Sequence, residues 1–345
     1  MSLGWVQRWW RSISGGSSAS DPTSRTGVAH EGVKPSEVRP WMDLAALMAI
    51  QSLELRIQRM VEGLHRGLHR SVRRGYSAEF AEYRPYTPGD DLRHLDWGRM
   101  ARTDRAFLRQ YEDESDWTCL MVVDLSASMA FGTVGYSKAD YARTLAGTLA
   151  TFLHGQGDSV GLLRFAAGVG DLVPAGHAPR QLARWWSLLA ADPSGSGTGL
   201  GAALEEARRI MRRPGLVVLV SDLLSAPDDW TEPLRLLRAA RHEVVVFEVL
   251  DPQEIEFSFE GDTHFVGLED ARRLDLDAAR AREGYLARLQ AHRESVAGVC
   301  ARESALFWSA RTDGPLEPLL LETITTLKRR RQQSAGAGRA RGAGQ

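Results

Sequence analysis

Apolar residues in the middle of the chain fall into short unbroken runs. Residues 118–123, 160–165, 216–220 and 243–250 are such runs, rich in Val, Leu and Phe. Strands that read this way are buried on both faces. Between them, residues 138–153, 181–189, 200–211 and 230–240 repeat apolar positions at helical spacing, and 169–173 reads as a hairpin partner of the second strand. Alternation of this kind predicts an α/β fold with a mostly parallel central sheet and helices on both faces. Ligands of such sheets gather outside the carboxyl ends of the strands. Beyond Asp251 the pattern loosens: 255–266 reads as an extra hairpin, 275–300 as a long helix, 305–309 as a last strand and 316–331 as a closing helix. Upstream, Leu44, Leu47, Met48, Leu55, Ile57, Met60 and Leu64 recur as on one amphipathic helix over 41–68. Residues 12–40, rich in Ser, Gly, Thr and Pro, have little to bury and read as a linker. The expected organisation is a disordered tail and linker over 1–40 and an N-terminal helical and irregular segment over 41–117 packed on the main domain. The α/β domain spans 118–331, and a disordered Gly, Ala and Arg tail spans 332–345.

Composition narrows the function classes. A net charge of −1 over 345 residues offers no electrostatic case for nucleic acid or an anionic membrane. Arginine is frequent, whereas Lys34, Lys138 and Lys328 are the only lysines, which reads as a composition bias. The basic run over 328–331 reads as a helix end facing water or touching an acidic partner. Cys119 and Cys300 lie in apolar or helical stretches and read as buried free thiols, which suits a reducing, cytoplasmic location. No apolar run approaches the roughly 18 residues of a transmembrane span, and the first residues lack the apolar core of a signal peptide. Trp9 and Trp10 leave open a weak peripheral membrane contact, with a disordered tail as the simpler account.

The chemistry concentrates where strands end. Asp124, Ser126 and Ser128 alternate directly after the run 118–123. A tight loop there brings one carboxylate and two hydroxyls to a point. Ser194 to Gly199 forms a Gly/Ser-rich loop presenting Thr198 ahead of a helix, and Asp222 follows the run 216–220. Hard oxygen donors suit Mg²⁺ or Mn²⁺; the competing account is a capped strand-to-helix turn. Asp90, Asp91 and Asp96 raise acid–base catalysis, but nearby Arg84, Arg93, Arg99 and Arg102 favour ion pairs. His65 and His69 lack the glutamate of a zinc-protease motif, and the glycines at 195–201 lack the ending of a P-loop.

The Asp-x-Ser-x-Ser, Thr, Asp set resembles the metal-ion-dependent adhesion site of von Willebrand factor A domains. That resemblance implies a Rossmann-type, von Willebrand factor A-like fold, with Ser126, Ser128 and Thr198 binding the metal directly. Asp124 and Asp222 would act through water and hydrogen bonds, and an open position would accept a partner's acidic side chain. Relatives often carry aspartate where this chain has Gly199, which bears on affinity. Upstream, Arg74-Gly75-Tyr76-Ser77-Ala78-Glu79-Phe80, then Tyr83-Arg84-Pro85-Tyr86-Thr87-Pro88-Gly89-Asp90-Asp91-Leu92-Arg93-His94-Leu95-Asp96-Trp97, then Ala101-Arg102 form a long motif. This resembles the bacterial family known as domain of unknown function 58. Membership implies a non-enzymatic adaptor or chaperone-like partner of a MoxR-type AAA+ ATPase. The alternative is a metal-assisted hydrolase or phosphotransferase with Asp124 as nucleophile. Such aspartyl enzymes generally need a second carboxylate two residues on, where this chain has Ser126.

Overall fold

The structure is a computed structural model describing residues 43–73, 83–85, 100, 107–109, 117–194, 199–266, 268 and 273–342. The chain forms two compact units, one of residues 1–64 with 117–345 and one of residues 65–116. The first contains α1 (Leu44–Met48) and the start of α2 (Leu53–Arg73). In the second, β1 (Tyr83–Pro85) pairs antiparallel with β2 (Phe107–Arg109), setting Tyr83 opposite Arg109. Most of the motif over 74–102 lies outside the described residues, as do the N-terminal tail with Trp9 and Trp10, and Thr198.

The larger unit is built on a six-stranded sheet. Its strands are β3 (Thr118–Asp124), β4 (Ser159–Phe165), β5 (Val169–Gly176), β6 (Leu216–Ser221), β7 (Glu243–Leu250) and β10 (Leu306–Arg311), in the order β10-β7-β6-β3-β4-β5. All neighbours are parallel except β4 and β5. This is the expected mostly parallel α/β sheet. Every residue of β6 is buried, as is every residue of β3 after Thr118, which explains why these strands read as unbroken apolar runs.

Helices cover both faces. On one side lies α3 (Lys138–Gly155), packed against β3, β4, β6 and β7. Its start is fixed by a capping box in which Ser137 and Asp140 satisfy each other's backbone N–H groups. Its Ala and Gly residues permit close approach: a Cβ on Gly147 would lie 2.4 Å from Ile57 Cδ1 of α2. On the opposite face α5 (Leu200–Ile210), α6 (Asp228–Ala239) and α8 (Ala278–Arg302) share one core with the sheet. Leu120, Val122, Val217, Leu219, Val244 and Val246 from the strands meet Leu204, Trp230, Leu234 and Val299 there. Completing the unit are α4 (Pro179–Leu189), α7 (Pro252–Glu256) and α9 (Leu316–Gly342).

Several local expectations change. The helix expected over 41–68 breaks after Met48 and restarts at Leu53, with Asp43 capping the first piece and Ser52 accepting from Leu55 N. Residues 255–266 are not a self-contained hairpin: β8 (Asp262–Val266) pairs instead with β9 (Arg273–Asp277). Asp277 then caps α8, which therefore starts later than 275. The closing helix runs on to Gly342 rather than ending at Arg331. Nor does its basic run simply face water. Arg330 donates to Glu243 at 3.0 Å, while Arg331 pairs with Asp158 at 2.9 Å and lies 4.6 Å over the Trp117 ring.

Candidate functional site

Because β3 lies between β6 and β4, its last residue, Asp124, emerges at the centre of the sheet's carboxyl edge, beside Phe165. The chain then turns through Ser126, in extended conformation, into a short 3-10 helix at Ala127–Ala130. This turn brings the hydroxyls of Ser126 and Ser128 to 3.0 Å from each other. Asp124 Oδ1 accepts from Ser126 N at 2.9 Å, and Oδ2 accepts from the Ser221 hydroxyl at 2.6 Å. Asp222, leaving β6, accepts from Ser128 through its side chain and from Leu224 N. Leu223 between them adopts a left-handed conformation at φ 52°, unusual for leucine. It is held there by its N–H on Ser221 Oγ (3.1 Å) and by the His292 ring 2.8 Å from its carbonyl oxygen.

Four of the five expected metal residues, Asp124, Ser126, Ser128 and Asp222, thus form one cluster, none more than 1% exposed. Thr198 lies outside the described residues. On either side of the loop that carries it, Ser194 N donates to Leu125 O at 2.9 Å and Gly199 N to Ala166 O at 2.6 Å. Gly199 itself has no room for a side chain: a Cβ there would stand 2.8 Å from Gly168 Cα and 2.9 Å from Ala167 O. Its glycine is a packing requirement of the β4–β5 turn, incompatible here with the aspartate that the resemblance leads one to look for.

Two further residues belong to the site. Lys138, wholly buried at the start of α3, places Nζ 2.9 Å from Asp222 Oδ2 and 2.6 Å from Glu254 Oε1 on α7. A signal for Lys138 was available in the sequence. It is one of three lysines in an arginine-rich chain, and it opens a helix, where the dipole disfavours a cation unless carboxylates wait nearby. Glu254, distant in sequence and on a five-residue helix, gave no comparable signal.

The charges sort themselves accordingly. Burial lifts the Asp124 carboxyl to about 7, helped by repulsion from Asp222 and opposed by the donors on Ser221 and Ser126. Burial would lift Asp222 too, but Lys138 holds it below the usual carboxylate range. Glu254 is pushed up to about 7, burial outweighing the pull of Lys138. Burial alone would lower the Lys138 ammonium; its two carboxylate neighbours reverse that and raise it. Asp124 has no cationic partner among the described residues. Nor do those residues group three or more His, Cys, Asp or Glu in a metal-binding arrangement. Any cation at this cluster would rest on hydroxyls, water and at most two carboxylates.

Residues 82–295 match the family described as "Protein of unknown function DUF58". The chain belongs to that family. A DUF58 chain of this kind is 35% identical over 289 residues to the uncharacterised protein Rv1480 of Mycobacterium tuberculosis, covering 81% of this chain and 89% of that one. Among solved structures, similarity extends to the conserved hypothetical protein BatB from Bacteroides thetaiotaomicron, at 16% identity and TM-score 0.42, over 62% of this chain and 99% of BatB. It extends also to the SpRpn10 VWA domain, at 9% identity and TM-score 0.36, over 60% of this chain and 94% of that domain. No helix among the described residues is long and apolar enough to cross a membrane.

Proposed function

We propose that this DUF58 chain is a metal-dependent protein-binding module. In this reading Mg²⁺ or Mn²⁺ is held at Asp124, Ser126, Ser128, Thr198 and Asp222, and an acidic side chain of a partner completes the shell. The observation that carries the reading is Asp124, a fully buried carboxylate whose hydrogen-bond donors are all neutral. A buried charge left in this state is costly: the carboxyl either takes up a proton, as its lift to about 7 reflects, or is matched by a cation. With all three buried carboxylates ionised against one ammonium, two negative charges are left for a divalent ion to match. Donor spacing agrees. Neighbouring ligands of an octahedral ion at about 2.1 Å stand about 3.0 Å apart, and the Ser126 and Ser128 hydroxyls are 3.0 Å apart. Hydroxyl ligands leave much of the ion's charge unspent, so a partner's carboxylate gains by entering.

The partner class suggested by family membership is a MoxR-type AAA+ ATPase or a protein that it handles, met in the cytoplasm, with this chain acting as adaptor and not as enzyme. Calorimetric titration with Mg²⁺ and Mn²⁺ tests the metal. Wild type should bind with one site, and Ser126→Ala/Ser128→Ala should not. Equal heats from both proteins, or none from either, would leave the cluster as a cap on a strand end.

A further inference from the structure

Lys138 occupies a doubly unfavourable place. Its ammonium is fully buried, and it sits at a helix N-terminus, where the backbone already carries partial positive charge. Asp222 and Glu254 offset both costs, at 2.9 and 2.6 Å. Glu254 is in turn fixed from its far side: Oε2 accepts from Asp251 N at 2.8 Å, and its carbonyl accepts from the Tyr285 hydroxyl of α8. One oxygen of Asp222 is therefore committed to an internal cation before any metal arrives. A divalent ion drawn to this carboxylate meets a positive charge on its other side. How strongly that charge acts depends on Glu254, which shares it.

We propose that Lys138 is the resident monocation of the site: it holds Asp222 in place and lowers the affinity for a bare divalent cation, with Glu254 setting how far it does so. This rests on the metal reading above and deepens it. The ammonium compensates Asp222 and Glu254 without a metal but not Asp124, and the added negative charge of a partner's carboxylate is what overcomes its repulsion of a divalent ion. Metal and acidic partner then bind together, and the metal alone binds loosely.

Mn²⁺ alone, titrated into the full chain and followed by electron paramagnetic resonance of the free ion, separates the possibilities. Glu254→Gln leaves the ammonium to Asp222 alone and should weaken Mn²⁺ binding by about tenfold or more. Lys138→Met/Glu254→Gln removes the ammonium together with one carboxylate, preserving net charge, and should tighten binding by about tenfold or more. Opposite signs from two variants in one buried cluster cannot come from general damage to the fold, which would weaken both. If both variants bind as wild type or more weakly, while wild type still binds and Ser126→Ala/Ser128→Ala does not, Lys138 is no such restraint and the metal reading survives without it. If none of the four proteins binds Mn²⁺, the metal reading itself falls and takes this proposal with it.

Discussion

Lys138→Met in metal-free buffer isolates the energetics of the buried charges. Methionine keeps most of the apolar stem and removes the ammonium. Lys138, Asp222 and Glu254 have side chains at most 1% exposed, so no solvent is at hand to replace the lost partner. Removing one member of a buried pair costs about 3–5 kcal/mol, because the surviving charge remains in low dielectric. Two carboxylates survive here, but each keeps a backbone donor, Leu224 N on Asp222 and Asp251 N on Glu254. We therefore expect a loss of about 3–4 kcal/mol at pH 7.5, in the lower part of that range. For a unit of this size that is a fall in Tm of about 6–16 °C. Lys138→Met/Glu254→Gln leaves only one carboxylate uncompensated and should cost about 2 kcal/mol. The double variant is then more stable than the single one, by a coupling of about 1–2 kcal/mol. Thermal unfolding with a chelator present, followed by near-ultraviolet circular dichroism, reads this out through the buried Trp185 and Trp230. A single variant melting within about 2 °C of wild type, or a double variant less stable than the single, would refute the buried ion pair.

Two further outcomes concern groups away from the site. Burial and Asp158 raise the Cys119 thiol, and burial and Glu248 push Cys300 up to about 12, so neither should react with a disulfide reagent until denaturant is added; fast labelling of the native protein would contradict this. His154, stacked on His177 with ring centroids 4.3 Å apart, is held below the ordinary histidine range by burial and by the charge of His177. Its unfolded form takes up a proton first, so the stability it contributes is present above pH about 6.5 and lost as pH falls below it. His154→Gln should flatten the fall in Tm between pH 7.5 and 5.5, and an unchanged slope would remove His154 from the account.

Much of the fold was legible because burial on both faces writes itself into composition. The runs at 118–123 and 216–220 needed no knowledge of their neighbours to be read as central strands. Local chemistry was legible for the same reason: Asp124, Ser126 and Ser128 lie within one turn, so their convergence follows from chain geometry. Errors fell where local pattern is ambiguous. Residues 273–277 carry alternating Leu and Asp that suit a strand or the first turn of a helix, and only pairing with β8 decides between them. Arg330 and Arg331 look like any solvated helix end until Glu243 and Asp158 are found beside them.

By itself, the sequence determined a mostly parallel sheet and the oxygen-rich turns at its carboxyl edge, since periodicity and strand-end chemistry are properties of adjacent residues. Only the tertiary structure decided the charge of the site. Lys138 and Glu254 are separated by 116 residues, and nothing local to either announces the other. Their pairing exists because α3 and α7 both begin near the carboxyl edge of the sheet, where Asp222 leaves β6. Desolvation there makes an ion pair obligatory that would be worth little on the surface. Gly199 teaches the same lesson: its lack of a side chain is imposed by the backbone of Ala167 and Gly168, which the sequence places some thirty residues away but the fold brings into contact.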